Sequence, residues 1–569
     1  MSFLQRGMAR LGFRKSVDRL LEQAHAKEGL AKTLTAKDLV VLGVAGIIGG
    51  GIFVLVGEGI VRAGAWVVPA FVVAAIICVF AGLAYAELAS AIPASGSAYA
   101  YIYTAMGEFP GWIVAWALVL EYAVGAVSVA VACSNNIVAV ITQFGHLFAH
   151  WAGNTAGEKV AYFADGNNPL LYGLTHSPLT PAAVDAATGV TLHGIINLPA
   201  MLIVTLVTLL LVRGTKESAK FTAVLVVMKI AILLVAIVIA AFLFNASNLA
   251  NPLPCYDTVS GAACGTPGYN SANGYDVRDF GSAVGAVMAA AAIMFFAYIG
   301  FDSVSTTAEE TKNPKRDLPL GILGSLAIST ALYILAAGAL VGASSWQIFV
   351  GNGAAAQAAR GEPFGYVFEQ HGALEFGGFS YGALLVRLGA MIGTTSVLLV
   401  LILGGVRVFF NMSRDGLLPP WMAAISRRGT PAKTTFLYGA FTLVFAGLLT
   451  LDKAVDLVNI GTLFAFFMVI LSVWRFRRAR PDLERPFKMP MWNVGPVPLF
   501  PILGMLGVVA LVFSLNAFTL WAAAMWMGLG LLVYALYGVR HSHEANERIE
   551  NLPHDSRLAH LSAAADEME

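Results

Sequence analysis

The stretch Gly46-Ile47-Ile48-Gly49-Gly50-Gly51-Ile52-Phe53 interrupts the first long apolar segment of the chain, residues 35–62. Three consecutive glycines at its centre are poor helix formers, so a membrane-crossing helix is expected to break there. A second apolar segment, residues 281–309, is interrupted by Phe296-Ala297-Tyr298-Ile299-Gly300, and Asp302 follows closely. A broken helix at membrane depth is tolerated only where its freed N–H and C=O groups line a protein cavity. The two interruptions therefore predict a binding site.

The composition is that of a membrane protein, since 58% of the 569 residues are hydrophobic and only 12% are charged. A hydrocarbon core about 30 Å thick needs roughly 20 apolar residues per helix. The chain offers twelve such spans, and we place them at residues 36–62, 66–91, 109–141, 193–213, 218–245, 281–308, 318–342, 380–410, 433–450, 455–475, 497–515 and 519–539. The sequence thus predicts an all-α polytopic membrane protein. The interruptions fall in spans 1 and 6, as expected of two five-helix halves related by inverted symmetry.

Basic residues lie mostly on one side of these spans, and Lys and Arg accumulate on the cytoplasmic side of a membrane. Three long loops on the other side, residues 142–192, 246–280 and 343–379, are nearly free of them. The pattern predicts cytoplasmic termini in the cytoplasmic membrane. It divides the chain into an N-terminal tail (1–35), a transmembrane domain (36–540) and a C-terminal tail (541–569). The first tail could form an interfacial amphipathic helix, or could be a basic tail that fixes orientation.

The two breaks offer complementary chemistry. Unwinding at the glycines exposes the amides that open the outer half-helix, and these amides with the helix dipole attract a carboxylate. Unwound carbonyls from both breaks can accept hydrogen bonds from an ammonium group. Donors for an anion and acceptors for a cation that face one cavity describe an α-amino acid. Alternatively, the glycines only allow close helix packing, which is the common use of small residues in membrane helices.

Several motifs resemble those of the amino acid/polyamine/organocation permeases, and the later ones resemble the cationic amino acid transporter branch. They are Gly49-Gly50-Gly51-Ile52-Phe53, Tyr85-Ala86-Glu87-Leu88, Phe295-Phe296-Ala297-Tyr298-Ile299-Gly300-Phe301-Asp302, Glu309-Glu310-Thr311-Lys312-Asn313-Pro314 and Ser413-Arg414-Asp415-Gly416-Leu417-Leu418-Pro419. The resemblance covers roughly residues 35 to 535. It implies the LeuT-type fold, with ten core helices in a 5+5 inverted repeat, two additional C-terminal helices, and helices 1 and 6 broken.

The resemblance also implies residue roles. The substrate carboxylate would meet the amides of Gly50 and Gly51, and the neighbouring Gly49 belongs to the same predicted substrate-binding set. The ammonium would meet carbonyls near Ile47, Phe296, Ala297 and Ile299. In span 8, Thr394 belongs to the run Gly393-Thr394-Thr395-Ser396, whose small polar residues leave room for a substrate side chain.

Ionisable residues within the membrane are costly and mark coupling sites. Lys229 lies midway along the fifth span, and in the resembling permeases a lysine at this position stands where sodium-coupled relatives place a cation. We expect it to carry a coupling proton; snorkelling to the interface is the alternative. Glu121 in span 3 could hold a proton, balance a cationic substrate, or be a structural part of the cavity wall.

Two further pairs of residues have predicted roles. Glu87 and Asp302 lie nearer the cytoplasmic ends of their helices, where contacts to the basic side chains of Lys312, Arg316 or Arg414 would latch an inner gate. Cys255 and Cys264, nine residues apart in a loop assigned to the outer face, either form a disulfide or remain free.

These observations predict a secondary active transporter that imports amino acids by alternating access. Proton-coupled symport is favoured, with neutral substrates ahead of cationic ones; the alternatives are amino acid exchange and a nontransporting sensor. No Walker-type loop or metal-ligand spacing is present in the sequence, so a nucleotide-driven pump is disfavoured. A membrane enzyme is also disfavoured, because the few polar residues within the spans form no recognisable pairing of nucleophile and base. The expected partners are the amino acid and the lipid bilayer, with the proton as coupling ion, no other cofactor and no nucleic acid. Protein partners are not predicted.

Overall fold

A computed structural model describes residues 32–92, 96–152, 169–180, 183–184, 191–213, 215–258, 260–266, 269–351, 354–376, 379–426, 430–494 and 497–542. The predicted tails, including the possible amphipathic helix before residue 32, lie almost entirely outside these described residues.

The described chain is almost entirely helical. Its helices are α1 (Ala36–Ile47), α2 (Val56–Ala63), α3 (Val67–Ala91), α4 (Ser97–Met106), α5 (Glu108–Ala152), α6 (Pro169–Thr175), α7 (Leu198–Arg213), α8 (Thr215–Phe242), α9 (Phe280–Phe295), α10 (Pro314–Ala343), α11 (Ala354–Gly361), α12 (Pro363–Gln370), α13 (Tyr381–Arg414), α14 (Ala432–Leu448), α15 (Leu451–Ala479), α16 (Leu499–Phe513), α17 (Ala517–Val533) and α18 (Val539–His541). Wider π turns span Gly51–Leu55 and Tyr534–Gly538. Tighter 3-10 turns span Gly64–Trp66, Ala246–Leu249, Ser271–Asn273, Phe296–Tyr298, Asp302–Glu310, Trp346–Phe349 and Pro420–Ala423.

Strands occur only as short antiparallel pairs in the described part of the chain. They are β1 (Ala183–Val184) with β2 (Thr191–Leu192), β3 (Cys255–Asp257) with β4 (Gly274–Asp276), β5 (Glu375–Phe376) with β6 (Phe379–Ser380), and β7 (Asn493–Val494) with β8 (Val497–Pro498). In the three-residue pair, Cys255 lies opposite Asp276.

Among the residues that the structure describes, eight helical stretches are long and apolar enough to cross a membrane, and the first runs from Ala36 to Ala91, which includes two of the predicted spans. Three shorter apolar helices, α7, α14 and α16, coincide with three more. The chain is therefore a multi-pass α-helical membrane protein, as predicted. The number of crossings and the inverted symmetry stay predictions.

One predicted boundary differs instructively from the structure. The sequence predicts that the fourth span begins at residue 193, but α7 begins only at Leu198. The Asn197 side chain accepts a hydrogen bond from the Ala200 amide at 3.1 Å, which caps the helix start. Pro199, in the first turn, needs no acceptor because it has no N–H. A capping residue, rather than the hydrophobic pattern, sets this boundary.

The long helices α5 and α10 lie at the centre of the molecule. Helix α5 is buried along most of its length and packs closely against α13 and α15, whereas α10 packs against α1 and α3. Helix α17 is largely exposed and lies at the edge. This arrangement places the interrupted segment between α1 and α2 against α5, α10 and α13, in the buried interior.

Candidate functional site

The first predicted break is present in the structure. Helix α1 ends at Ile47, and Ile48 takes an extended conformation with φ −75° and ψ 107°. The chain returns to helical geometry at Gly50 and continues through the π turn into α2. The first N–H groups of a new helix have no upstream carbonyl within the helix to bond. This position can therefore offer free N–H donors, and their binding of a carboxylate stays a prediction.

The second break lies where the sequence places it. Helix α9 gives way to the 3-10 turn Phe296–Tyr298, and Ile299 is extended, with ψ 138°. Gly300 has φ +116°, which strains any residue with a side chain. The chain then forms the 3-10 segment Asp302–Glu310.

The two breaks contact each other directly through backbone. A Cβ atom added at Gly300 would lie 2.5 Å from the Gly46 carbonyl oxygen. One added at Gly51 would lie 2.2 Å from the Ala297 Cβ. At Gly50 the nearest atom would be the Ala132 Cβ, at 3.4 Å, an ordinary contact distance. Gly51 and Gly300 thus allow the two breaks to pack closely, whereas Gly50 has room for a Cβ atom at ordinary contact distances.

A narrow cavity lies between the breaks. Five predicted site residues line it, namely Ile47, Gly50, Gly51, Phe296 and Ile299. Helices α5 and α13 complete the wall with Gly125, Val129, Val397 and Leu401. Three other predicted site residues are not part of the cavity wall but pack next to it. They are Gly49, packed against Val397; Ala297, packed against Gly51; and Thr394, whose methyl would lie 3.8 Å from a Cβ at Gly50.

Lys229 on α8 reaches the first break. Its Nζ donates to the Ala45 carbonyl at 2.9 Å, to the Ile48 carbonyl at 2.6 Å and to the Ser396 Oγ of α13 at 2.8 Å. The side chain is fully buried. These three oxygens satisfy all three ammonium protons, so the lysine does not snorkel to an interface.

Glu121 is fully buried on α5, one helical turn before Gly125 of the cavity wall. Neither of its carboxylate oxygens has a hydrogen-bond partner among the described residues. Asp302 is also buried and accepts a hydrogen bond from the Tyr122 hydroxyl. The basic partners expected for Asp302 are therefore replaced by a tyrosine, because the break turns its carboxylate toward α5.

Glu87 also has a different partner from those expected. Arg477 of α15 donates two hydrogen bonds to the Glu87 carboxylate, at 2.7 and 2.5 Å, and the Met489 amide donates a third at 2.8 Å. Arg414 instead pairs with Glu309 at 3.9 Å, and Arg407 pairs with Glu310. Ion pairs on the predicted cytoplasmic side thus tie α3 to α15, and the chain after the second break to α13.

A further cluster, which sequence reasoning missed, lies on the predicted outer side. The buried Arg387 of α13 binds both oxygens of Glu362, at 2.5 and 3.0 Å, and one oxygen of Glu369, at 2.7 Å. Gln143 of α5 accepts another of its hydrogen bonds at 2.8 Å. Burial raises the pKa of Glu362, and Arg387 opposes that shift. The cluster fixes the loop helices α11 and α12 over the ends of α5 and α13.

Cys255 and Cys264 are joined by a disulfide in the structure, with a Cα–Cα distance of 5.4 Å. The Cys264 amide also donates to the Cys255 carbonyl at 3.0 Å, so the intervening turn itself brings the two cysteines together. Cys78 and Cys133 are buried free thiols.

We predict that the Cys255 to Cys264 bridge forms in the cell, because this loop is assigned to the oxidising outer face. Peptide mapping by mass spectrometry of protein purified without reductant, with free thiols blocked at lysis, should find the two cysteines linked. Blocked thiols at both positions would reject the bridge. Cys78 and Cys133 serve as internal controls for free cysteine.

A multi-pass helical protein with two broken helices around one buried cavity has the architecture of a membrane transporter. A family model described as amino acid permease matches residues 34–550. The chain belongs to this family, within the amino acid/polyamine/organocation superfamily, so the resemblance inferred from the motifs is confirmed.

Relatives span almost the whole chain. It is 36% identical over 533 residues to the branched-chain amino acid permease BcaP of Bacillus subtilis (strain 168), covering 93% of this chain and 98% of that protein. It is 33% identical over 538 residues to the methylthioribose transporter of the same organism, covering 94% and 99%. It is 32% identical to the vacuolar cationic amino acid transporter 2 of Arabidopsis thaliana, covering 83% of this chain and 64% of that protein.

Proposed function

We propose that this permease is a secondary active importer that moves amino acids together with protons across the cytoplasmic membrane, with both termini inside. Its spans follow the LeuT-type plan of two inverted five-helix halves and two further helices. The substrate binds between the two breaks, its carboxylate at the amides of Gly50 and Gly51. Alternating access follows from opening one side of this site at a time.

The lining of the cavity favours neutral substrates with apolar side chains. Phe296, Ile299, Val129, Val397 and Leu401 present hydrocarbon toward the space between the breaks. A branched aliphatic side chain loses water there without leaving a charge unpaired. The name of the Bacillus subtilis relative BcaP, a branched-chain amino acid permease, points in the same direction.

Cationic substrates form the second candidate class, and Glu121 is the observation in its favour. Its two carboxylate oxygens are without hydrogen-bond partners among the described residues, one turn from the cavity wall. A guanidinium or ammonium that extended past Gly125 would find an anion there. The plant cationic amino acid transporters among the relatives agree with this possibility.

The observation that carries proton coupling is the position of Lys229. Its ammonium bonds two carbonyls of the broken α1 and the Ser396 hydroxyl of α13, and so joins three helices at one point. A neutral amine has fewer protons to donate and holds these acceptors less well. Loss of the proton would therefore loosen the first break from α13. Substrate binding and protonation of Lys229 then both shift the equilibrium between the open and closed positions of the first break. Two ligands that act on one equilibrium in this way are coupled, as symport requires.

Uptake by purified protein in sealed vesicles tests the proposal. A panel of L-amino acids that includes leucine and arginine is offered with an inside-alkaline pH gradient, without it, and with substrate preloaded inside. Accumulation only with the gradient supports symport. Uptake only into preloaded vesicles means exchange, and binding without uptake means a sensor; either result would reject symport.

A further inference from the structure

Tyr333 of α10 connects the two breaks. Its hydroxyl oxygen lies 2.8 Å from the carbonyl oxygen of Ile47 at the first break and 2.8 Å from that of Ala297 at the second. The side chain is fully buried, and both carbonyl-bearing residues are nearly so. One hydroxyl therefore links two backbone acceptors that come from different transmembrane segments.

The ring of Tyr333 is held rigidly enough to fix this hydroxyl. Its centroid lies 5.5 Å from that of Phe71 on α3 and 5.3 Å from that of Tyr298 in the second break. Three aromatic rings from three segments thus pack together at separations typical of favourable aromatic pairs. The hydroxyl cannot leave its position without disturbing that cluster.

The geometry sets a limit on the separation of the two carbonyls. With two contacts of 2.8 Å to one oxygen, they are no more than twice that distance, about 5.6 Å, apart. An ammonium nitrogen bonds carbonyl oxygens at about 2.7–3.2 Å, so two oxygens at this spacing suit it as well. A hydroxyl also has only one proton for two carbonyls, which leaves acceptor capacity on both.

We propose that Tyr333 is a positioning residue for the substrate ammonium: it holds the carbonyls of Ile47 and Ala297 at the spacing that an α-ammonium group requires. The inference rests on the proposed function, because it takes the substrate to be an amino acid that binds between the breaks. In this role Tyr333 makes the site specific for substrates that carry an α-amino group. Amino acids are thereby distinguished from the corresponding hydroxy acids, which offer one donor hydrogen instead of three.

The test compares Tyr333→Phe with Tyr298→Phe in vesicles. Both changes remove one hydroxyl and keep a ring of the same cluster, but the Tyr298 hydroxyl donates to the Phe71 carbonyl on α3 and not to a carbonyl of either break. The probe is whichever amino acid of the panel the wild type accumulates best. Its 2-hydroxy acid counterpart serves as competitor.

We expect Tyr333→Phe to raise the KM for the amino acid about tenfold with little change in maximal rate, and to leave inhibition by the hydroxy acid unchanged. Tyr298→Phe should keep the wild-type KM. Introduction of 4-aminophenylalanine at position 333, which restores an N–H donor on the same ring, should recover it.

Three results would overturn the role: an unchanged KM in Tyr333→Phe, a parallel loss of affinity for the hydroxy acid, or failure of 4-aminophenylalanine to recover function. The result with 4-aminophenylalanine tests the role even if Tyr333→Phe does not fold. A wild type that takes up no amino acid would instead reject the proposed function itself, and the inference with it.

Discussion

Replacing Lys229 with alanine is expected to abolish accumulation of amino acid against a concentration gradient. The change removes the ammonium that binds the carbonyls of Ala45 and Ile48 and the hydroxyl of Ser396. With no group at this point that gains and loses a proton, a pH gradient cannot bias the first break. A gradient of one pH unit supplies about 1.4 kcal/mol per proton, which allows the wild type about tenfold accumulation of amino acid. In Lys229→Ala the internal and external concentrations should become equal.

The measurement is the ratio of internal to external amino acid in vesicles at several imposed pH gradients. Lys433→Ala is a suitable control, since that lysine is exposed at the start of α14 and should leave accumulation unchanged. Exchange of internal for external substrate can survive in Lys229→Ala, which would show that the protein is folded. Full accumulation with unchanged pH dependence would make the lysine structural, and the proton would then have to travel elsewhere, with Glu121 as the next candidate.

Replacing Gly50 with leucine is expected to abolish substrate binding. The new side chain would fill the cavity in front of the amides of residues 50 and 51, where the substrate carboxylate is proposed to bind. Hydrogen bonds to a charged group contribute about 1.5–3 kcal/mol each, so the loss of two corresponds to a decrease in affinity of at least about 100-fold. Binding is measured by the thermal stabilisation that amino acid gives to detergent-solubilised protein, beside radiolabelled uptake.

Gly50→Ala is the matched variant. Its Cβ would meet the Ala132 Cβ at 3.4 Å, so the fold should accept it with little change. Gly51→Ala is not equivalent, because its Cβ would collide with Ala297 and force the two breaks apart. Wild-type affinity in Gly50→Leu would mean that the carboxylate binds elsewhere, and the glycine triplet would then serve packing alone.

Local signals in the sequence were enough to predict the two breaks and the residues around them. Three glycines in one apolar span, and Gly300 after an aromatic run in another, are conspicuous because helix formers dominate elsewhere in such spans. The cavity lining of Ile47, Gly50, Gly51, Phe296 and Ile299 follows from those breaks. Lys229 was predictable for a related reason, as a charge in the middle of an apolar helix.

Partners that come from distant parts of the chain could not be predicted in the same way. Tyr333 lies 286 residues from Ile47, and nothing around it distinguishes it from the other tyrosines of the chain. Glu87 pairs with Arg477, 390 residues away, although nearer basic residues were expected. Such pairings depend on which helices pack together, and hydrophobicity alone does not specify helix packing.

The outer cluster illustrates a different limit. Arg387 falls inside a predicted span, where an arginine is costly unless it is paired. Its partners Glu362 and Glu369 belong to a loop that carries no recognisable motif, so the pairing becomes visible only when α11 and α12 fold back over α13.

The central claim is that a proton enters with each amino acid, and proton movement can be measured directly. Vesicles that contain the purified protein and an internal pH-sensitive dye are held without a pH gradient and with the membrane potential clamped, and amino acid is added outside. The account predicts that the interior acidifies as amino acid enters, and that Lys229→Ala loses this acidification while Lys433→Ala keeps it. Entry of amino acid at an undiminished rate with no change of internal pH would contradict the account.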